Sequence, residues 1–385
     1  MKRWALSVCA LSAGAIGWLQ AGPAREPASN GNQSAAAVAR GAAWLASVQG
    51  NDGGWGQDGG ARVFVRQGER LESQANDVAN TAVAVSALLR AGSKPTSGPH
   101  QAHIRRGIEF ILRSVEASPA DGLAVTTVQG TQIQRKLGPF IDTFLTSRLL
   151  SEVDGTMGAA DANARVRKAL EKCVRKIEAN QLQDGSWNLS GGWAPIVGTS
   201  IASQSLDTAR RKGVKVEEKV MAKVDNYTRE NARVAASGGV AGGVPGGVRG
   251  GVVGGIASAA PAAAGVPLYQ RAQELEQLSR TDRDRKTNAK EIRAISSALA
   301  DDRFVNGFGS MGGEEFFSYL NISESLRRAG GPEWQKWNGQ IQSKLVRLQN
   351  EDGTWVGHHC ITGRVAVTGA AILTLNADRA PVPQS

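Results

Sequence analysis

Three copies of a seven-residue pattern constrain this chain more than any other feature. The pattern Gln-x-x-Asp-Gly-x-Trp occurs at residues 49–55, 181–187 and 349–355. Each copy follows a segment whose apolar residues recur with helical spacing, as Ala42 and Leu45 do before the first copy. Repeated copies at the ends of helices indicate an array in which every unit is one helical hairpin.

The residues of the pattern are predicted to be structural. An Asp-Gly step supplies a positive φ where the chain reverses, and the Trp that follows can bury its ring between neighbouring units. The positions concerned are Gln49, Asp52, Gly53, Trp55, Gln181, Asp184, Gly185, Trp187, Gln349, Asp352, Gly353 and Trp355.

The helices on the two sides of each copy differ in character. The helix before the pattern is apolar on one side, whereas the helix after it is apolar nearly all round. A helix of the second kind must be covered on more than one side. A closed double ring meets this need, because outer helices cover the backs of the inner ones. The sequence therefore predicts an all-α fold, an α/α-toroid of five helix hairpins, with a sixth if residues 217–282 form one.

The two ends of the chain are predicted to lie outside the ring. Lys2 and Arg3 precede a short apolar run and small residues, a pattern typical of an export signal over residues 1–24. The mature protein is then expected to be periplasmic or secreted. Residues 25–34 are predicted to be a flexible leader, and residues 379–385 a tail.

A low-complexity tract interrupts the predicted toroid domain, which spans residues 35–378. Residues 237–267 consist mainly of Gly, Val, Ala and Pro, a composition that will not hold a membrane-spanning helix. We expect a disordered surface insertion. A lid over a cavity and a partner-binding segment are the alternatives.

Charge and cysteine content narrow the classes of partner. The formal net charge is +10 and falls by two, to +8, when Lys2 and Arg3 are removed with the signal. The basic residues are interleaved with Glu and Asp along predicted helices, which indicates solvated helix faces and no nucleic-acid partner. Cys173 and Cys360 alone remain after signal removal, too few for a disulfide framework, although one bridge between them stays open.

The repeats resemble those of the prenyltransferase and squalene-cyclase superfamily, the terpenoid cyclase-like α/α-toroids. The resemblance covers most of the mature chain outside the insertion, and it implies a ring with a central cavity. Relatives with this architecture include protein prenyltransferase β subunits, triterpene cyclases, complement-type thioester domains and cobalamin carriers. The fold therefore does not decide the activity.

In such rings the loops that enter the inner helices build the mouth of the cavity. Those positions here carry Asp77, Asp142, Glu314, Glu315, His358, His359 and Cys360. His358, His359 and Cys360 offer imidazole and thiolate ligands suited to zinc, and Glu314 would complete a site with one open position. Asp142 and Glu314 are the candidate proton-transfer groups. Alternatively, the two His cap the last inner helix, Cys360 packs beneath it, and Asp77 and Asp142 are carboxylates favoured by helix dipoles.

The chain departs from the enzymes that it resembles in two respects. Protein prenyltransferases pair an Asp-x-Cys motif with a distant His, but His358 stands where that Asp would be. Cyclases that protonate their substrate share an Asp-x-Asp-Asp motif, and the nearest pair here, Asp301-Asp302, lacks the first Asp. The aromatic content of 5% is low for a cavity that stabilises carbocations.

Two functions therefore stay open at the level of sequence. One is a metal-assisted transferase or cyclase-like enzyme that binds its ligand in the central cavity. The other is a non-catalytic binding or scaffold protein for an apolar small molecule or a peptide.

Overall fold

The computed structural model describes residues 30–57, 75–188, 195–236, 271–301, 312–358 and 361–380, and within these ranges it contains helices and no named strand. The predicted signal (1–24) and insertion (237–267) lie outside the described residues. The helices are α1 (Asn30–Ser47), α2 (Val78–Arg90), α3 (Gln101–Ala117), α4 (Gln132–Leu137), α5 (Ile141–Val153), α6 (Ala160–Ala179), α7 (Pro195–Arg211), α8 (Glu218–Ala236), α9 (described over 271–278), α10 (Asp282–Thr287), α11 (Ala289–Leu299), α12 (Gly313–Ala329), α13 (Pro332–Leu348) and α14 (Arg364–Leu375), followed by a 3-10 turn at Ala377–Arg379.

Six of the described helices, α2, α5, α7, α9, α12 and α14, form an inner ring. Helix α2 packs against α5, α5 against α7, α12 against α14, and α14 against α2 again. Helix α9 joins α7 to α12. Arg280, just after α9, donates to Ser203 of α7 at 2.8 Å, and Arg328 of α12 donates to Glu276 of α9 at 2.6 Å. The inner ring is closed, which confirms the predicted toroid.

Outer helices precede the inner ones along the chain and cover their backs. Helix α3 packs against α2, α6 against α5 and α7, and α1 against α14 and α2. The outer helix α3 buries a single stripe that includes Ile104, Ile108 and Ile111, whereas every residue of α14 after Arg364 is buried. Helices α8 and α9 supply the sixth hairpin, on either side of residues 237–270.

Helix α1 differs in extent from the prediction. Helix α1 begins at Asn30, inside the predicted leader 25–34, and buried Ser34 donates to Gln342 of α13 at 3.4 Å. These early turns are helical because they cover the last repeat. Helix α2 begins at Val78, directly after Asp77, which caps it. Helices α9 and α10 are separate because Thr281 forms a capping box at the start of α10.

The repeated pattern makes the same contacts in all three copies, and we call the Gln, Asp, Gly and Trp of one copy a clasp. Each Gln side chain donates to the carbonyl of its own Gly, at 2.8 to 3.0 Å. It also donates to a carbonyl of the next outer helix in the ring. The acceptors are His103 of α3 at 3.0 Å, Val220 of α8 at 2.9 Å and Ala37 of α1 at 2.8 Å.

The Trp of each clasp joins the two helices of its own hairpin. Its indole N–H donates to a carbonyl ten residues earlier, at the end of the outer helix; the acceptors are Leu45, Ile177 and Leu345, at 2.7 to 2.8 Å. Its backbone N–H donates to a threonine hydroxyl of the inner helix; these are Thr81, Thr199 and Thr368. One clasp therefore links three helices.

Glycines in the outer helices make room for the clasp. A Cβ atom at Gly107 of α3 would lie 2.8 Å from Trp55 Cζ3 and 2.4 Å from Val85 Cγ2. A Cβ at Gly41 of α1 would lie 2.9 Å from Trp355 Cζ3. The last clasp thus holds the first helix as the first clasp holds α3, and this contact closes the outer ring.

Residues 118–122 keep the Asp-Gly step of the pattern at Asp121 and Gly122. Here the next outer helix supplies the donors. Lys172 Nζ of α6 donates to the carbonyl of Val115 at 2.8 Å. Lys176 Nζ donates to the carbonyl of Gly122 at 2.9 Å. The two hairpins therefore stay in contact here, although Ser118 and Ala124 stand where a clasp has Gln and Trp.

Replacing Gly107 by Ala should destabilise the protein, because the added methyl group overlaps Trp55 and Val85. We expect a loss of about 1–3 kcal/mol in the free energy of unfolding, measured by urea denaturation. The matched control is Gly339→Ala in α13, where a Cβ meets no atom within 4 Å; this change should stabilise by up to about 1 kcal/mol. Equal effects at the two positions would contradict the described packing.

Candidate functional site

The N-terminal ends of four inner helices, α2, α5, α12 and α14, lie together at one end of the ring, which we call the mouth. Asp142 at the start of α5 accepts from the backbone N–H of Ala79 at the start of α2, at 3.1 Å. The start of α12 touches the loop before α14, since a Cβ at Gly313 would lie 1.8 Å from the carbonyl oxygen of Ile361. Most of the side chains predicted for the site belong to this end.

Asp77 and Asp142 are fully enclosed at the mouth, with exposed fractions of 0% and 1%. Asp77 accepts from the backbone N–H and the side-chain amide of Asn80, both at 2.8 Å. Asp142 accepts from Ala79 and, at 2.7 Å, from the side-chain amide of Gln134. Both carboxyl groups thus cap helix starts, and Asp142 ties two neighbouring inner helices together.

Burial changes the protonation of this pair. It raises the pKa of Asp77 to about 7, and the charge of Asp142 adds to the effect. Burial also raises the pKa of Asp142 to about 6, against the hydrogen bond from Gln134. Because a buried carboxylate is costly and two neighbouring ones repel each other, the pair holds a proton at mildly acidic pH.

A group of buried amides at the mouth was not predicted from the sequence. Gln132 Oε1 accepts from the backbone N–H of Thr362 at 3.0 Å and of Gly363 at 3.2 Å. Gln57 Oε1 accepts from the backbone N–H of Gln132 at 2.9 Å. The sequence carried one local signal for this group: Thr131 and Gln134 have the spacing of a capping box, and they form one at the start of α4. These amides join α4 to the start of α14.

Glu314 and Glu315 are both buried at the start of α12, each 4% exposed. The Glu314 carboxylate turns back over the helix start, where a Cβ at Gly312 would lie 2.3 Å from its Oε1. Glu315 accepts from the Tyr319 hydroxyl at 3.1 Å, and Lys344 of α13 donates to that hydroxyl at 2.8 Å. Burial lowers the pKa of Lys344, and Glu315 opposes this effect.

The predicted zinc ligands are only partly described. His358 is exposed, and the residue before it rests on α12, since a Cβ at Gly357 would lie 2.4 Å from the backbone nitrogen of Gly313. The segment with His358 therefore runs beside the start of the helix that carries Glu314. His359 and Cys360 lie outside the described residues, and within the described ranges no three His, Cys, Asp or Glu side chains form a metal-binding group. The zinc site stays a prediction.

Cys173, the other candidate for a disulfide, is a free buried thiol in α6. Burial raises its pKa to about 12. It therefore behaves as an apolar core residue at neutral pH.

Ion pairs close the end of the ring opposite the mouth. Arg148 of α5 pairs with Glu324 of α12, and Arg90 at the end of α2 lies 3.6 Å from Glu324 and 3.9 Å from Glu152. Burial acts to raise the pKa of Glu324, but Arg148 and Arg90 outweigh it, so the pKa lies below its usual value. Next to them, Glu276 pairs with both Arg280 and Arg328.

The cavity that described residues of the inner helices line is small. It has a volume of about 30 Å³ and lies beside Leu145, Ile201 and Phe317, with Gln204 and Asn321 at its wall. Gln204 donates to Asn321 Oδ1 at 2.7 Å. Ligand pockets usually measure about 300–1,000 Å³, so this cavity has room for water only.

Fold and helix order are those of an α/α-toroid, the architecture of terpenoid cyclase-like domains. Residues 25–127 match the family model of the squalene-hopene cyclase C-terminal domain. This part of the chain includes the first clasp and Asp77, and the match confirms the resemblance predicted from the repeats. No curated protein matches the chain. Among the described helices, none has the length and apolarity needed to cross a membrane.

Replacing Asp77 by Asn should flatten the dependence of stability on pH. An aspartate carboxyl ordinarily has a pKa of 3.8, and burial raises the pKa of Asp77 to about 7. Between these values the folded state holds a proton that the unfolded state has lost. The free energy of unfolding contributed by this group therefore falls as pH rises from about 4 to 7. Asn keeps an oxygen that accepts from Asn80 but does not titrate.

The measurement is urea denaturation of wild type and Asp77→Asn at a series of pH values across this window. The exposed Asp161 provides the control, and Asp161→Asn should keep the wild-type slope. Parallel curves for wild type and Asp77→Asn would contradict the raised pKa.

Proposed function

We propose that the protein is a binding toroid that takes an apolar or peptide ligand at its mouth and does not enclose a terpenoid within the ring. The observation that carries this proposal is the axial cavity of about 30 Å³. A triterpenoid needs a pocket at least ten times larger on the usual scale of ligand sites. The ion pairs of Arg90, Arg148 and Glu324 stand across the far end of the same axis.

The environment of the mouth carboxyl groups also favours binding over catalysis. A general acid must reach the atom that it protonates, yet Asp77 and Asp142 are 0% and 1% exposed and accept hydrogen bonds from protein donors on both oxygens. They position the helix starts that would meet the ligand. In an enzyme, Asp142 or Glu314 would have to be uncovered before transferring a proton.

The export signal over residues 1–24 belongs to the same proposal. Its support is the sequence alone: Lys2 and Arg3, then an apolar run, then small residues. The proposed binding would then take place in the periplasm or outside the cell.

The direct test incubates the purified protein with squalene and with geranylgeranyl diphosphate and analyses extracts by mass spectrometry. We expect no cyclised product from either substrate, because the cavity lined by the described inner-helix residues has room for water only. A cyclised product formed by wild type and absent with Asp142→Asn would contradict the proposal. The variant must keep the wild-type circular dichroism melting curve for this comparison.

A zinc centre at the mouth is the second candidate function, proposed on the contact between Gly357 and Gly313. This contact brings the chain segment of His358 beside Glu314, and His359 and Cys360 follow directly in sequence. Imidazole, thiolate and carboxylate ligands suit Zn²⁺ with one position left open. The bound metal would supply a Lewis acid or an activated water at the mouth.

Elemental analysis of protein purified without a His tag tests the zinc centre. About one equivalent of zinc per chain is expected, and the double variant His358→Ala/Cys360→Ser should lose it. Cys173→Ala is the matched cysteine control and should keep the metal, because Cys173 is buried in α6. Zinc absent from wild type, or retained by the double variant, would rule out this ligand set.

A further inference from the structure

A groove on the outer face of the ring has the size of a binding site. It lies between α3 and α6, beside the first clasp, and has a volume of about 490 Å³. Half-buried Met157 is the accessible apolar residue of the groove, and the buried side chains of Ile108 and Leu112 lie beneath its floor. This volume is within the usual range for ligand sites, and the groove is remote from the mouth.

Arginine side chains dominate the wall of this groove. Arg105, Arg106 and Arg113 come from α3 and Arg165 from α6, whereas the acidic lining residues are Glu109 and Asp52. Arg105, Glu109 and Arg113 are four residues apart and thus lie along one face of α3. Positive charge therefore exceeds negative charge along the groove.

The acidic residues of the groove already have partners. Arg165 binds Glu109 and Glu116, each at 2.9 Å, and so bridges α3 and α6. The Asp52 carboxylate accepts from the backbone N–H of Gly54 at 2.9 Å and from the side-chain amide of Asn76 at 2.6 Å. These two carboxylates, one of them already bound by Arg165, do not neutralise the three arginines of α3.

The arginines of α3 face mainly neutral oxygens. Arg106 donates to the side-chain amide oxygen of Gln49, and Arg113 donates to the backbone carbonyl of Asp52 at 2.8 Å. Arg113 also lies 4.0 Å from Glu109, which Arg165 binds more closely. Arg105 is exposed and forms no ion pair with any described residue. Guanidinium groups held in this way keep N–H donors for a carboxylate.

We propose that the groove between α3 and α6 binds an acidic peptide segment of a partner protein, through its carboxylates and the guanidinium groups of Arg105, Arg106 and Arg113. Glutamate or aspartate side chains provide the planar oxygen pairs that arginine binds in a bidentate manner. The half-buried Met157 offers a soft apolar contact for a neighbouring side chain of the peptide. A single-stranded nucleic acid fits less well, because such sites use aromatic rings to stack bases, and the described lining of the groove includes no aromatic residue.

The test measures fluorescence anisotropy of a labelled peptide of alternating Glu and Ala residues with the full chain. Arg105→Glu/Arg113→Glu should weaken binding by about tenfold or more, since each change removes an attraction and adds a repulsion. The control is Lys290→Glu/Arg293→Glu, which makes the same change in net charge at exposed positions of α11. The control should bind as wild type does.

Three outcomes would overturn the proposal. The first is that wild type shows no saturable binding of the peptide. The second is that both double variants lose affinity equally, because this result would indicate general charge attraction. The third is displacement of the peptide by an oligothymidylate at equal charge concentration, which assigns the groove to polyanions in general. If Arg105→Glu/Arg113→Glu has an altered melting curve, Arg105→Gln/Arg113→Gln replaces it and should weaken binding in the same direction.

Discussion

The contact between the last clasp and the first helix is the constraint on which this ring depends. An array of hairpins can grow as an open solenoid, because each unit needs only its neighbours. Here the Gln349 side chain donates to Ala37 at 2.8 Å, and Trp355 lies where a side chain at Gly41 would be. The last hairpin therefore packs against α1 as every other hairpin packs against the next one. This contact closes the array, so the number of inner helices is fixed.

The size of that ring determines what its centre can hold. Six inner helices pack side by side, and their described side chains line a cavity of about 30 Å³ above the ion pairs of Arg148 and Glu324. Buried ion pairs of this kind add little net stability, but breaking one partner is costly. These ion pairs thus hold the helix ends in one arrangement. The surfaces that we consider for binding are the mouth and the outer face of the ring.

Much of the fold was predictable because the same physical need recurs in every hairpin. The Gln-to-Trp copies and the contrast between one-sided and all-round apolar helices were enough to predict a closed double ring. The glycines at 41 and 107 carried a further signal that was missed, since a helix tolerates Gly where a neighbouring Trp needs space. The start of α1 was placed too late because its first turns are held by α13, a contact that local sequence does not reveal.

The candidate site was harder to predict than the fold. Helix starts place acidic residues at the mouth by rule, so Asp77 and Asp142 could be located, but whether their oxygens were free depended on Asn80 and on Gln134. The amides of Gln57 and Gln132 act across the ring and leave no pattern in the sequence. The α3–α6 groove likewise arises from two helices whose charges each look like an ordinary solvated face.

A double-mutant cycle between Gly41→Ala and Trp355→Phe tests ring closure most directly. Gly41→Ala should destabilise the protein when Trp355 is present, because the new Cβ would lie 2.9 Å from Trp355 Cζ3. Phe removes that atom, so part of the cost should disappear, giving a coupling energy of about 1 kcal/mol or more in urea denaturation. Effects that add within about 0.5 kcal/mol would mean that the first and last repeats do not touch, and the closed ring would be wrong.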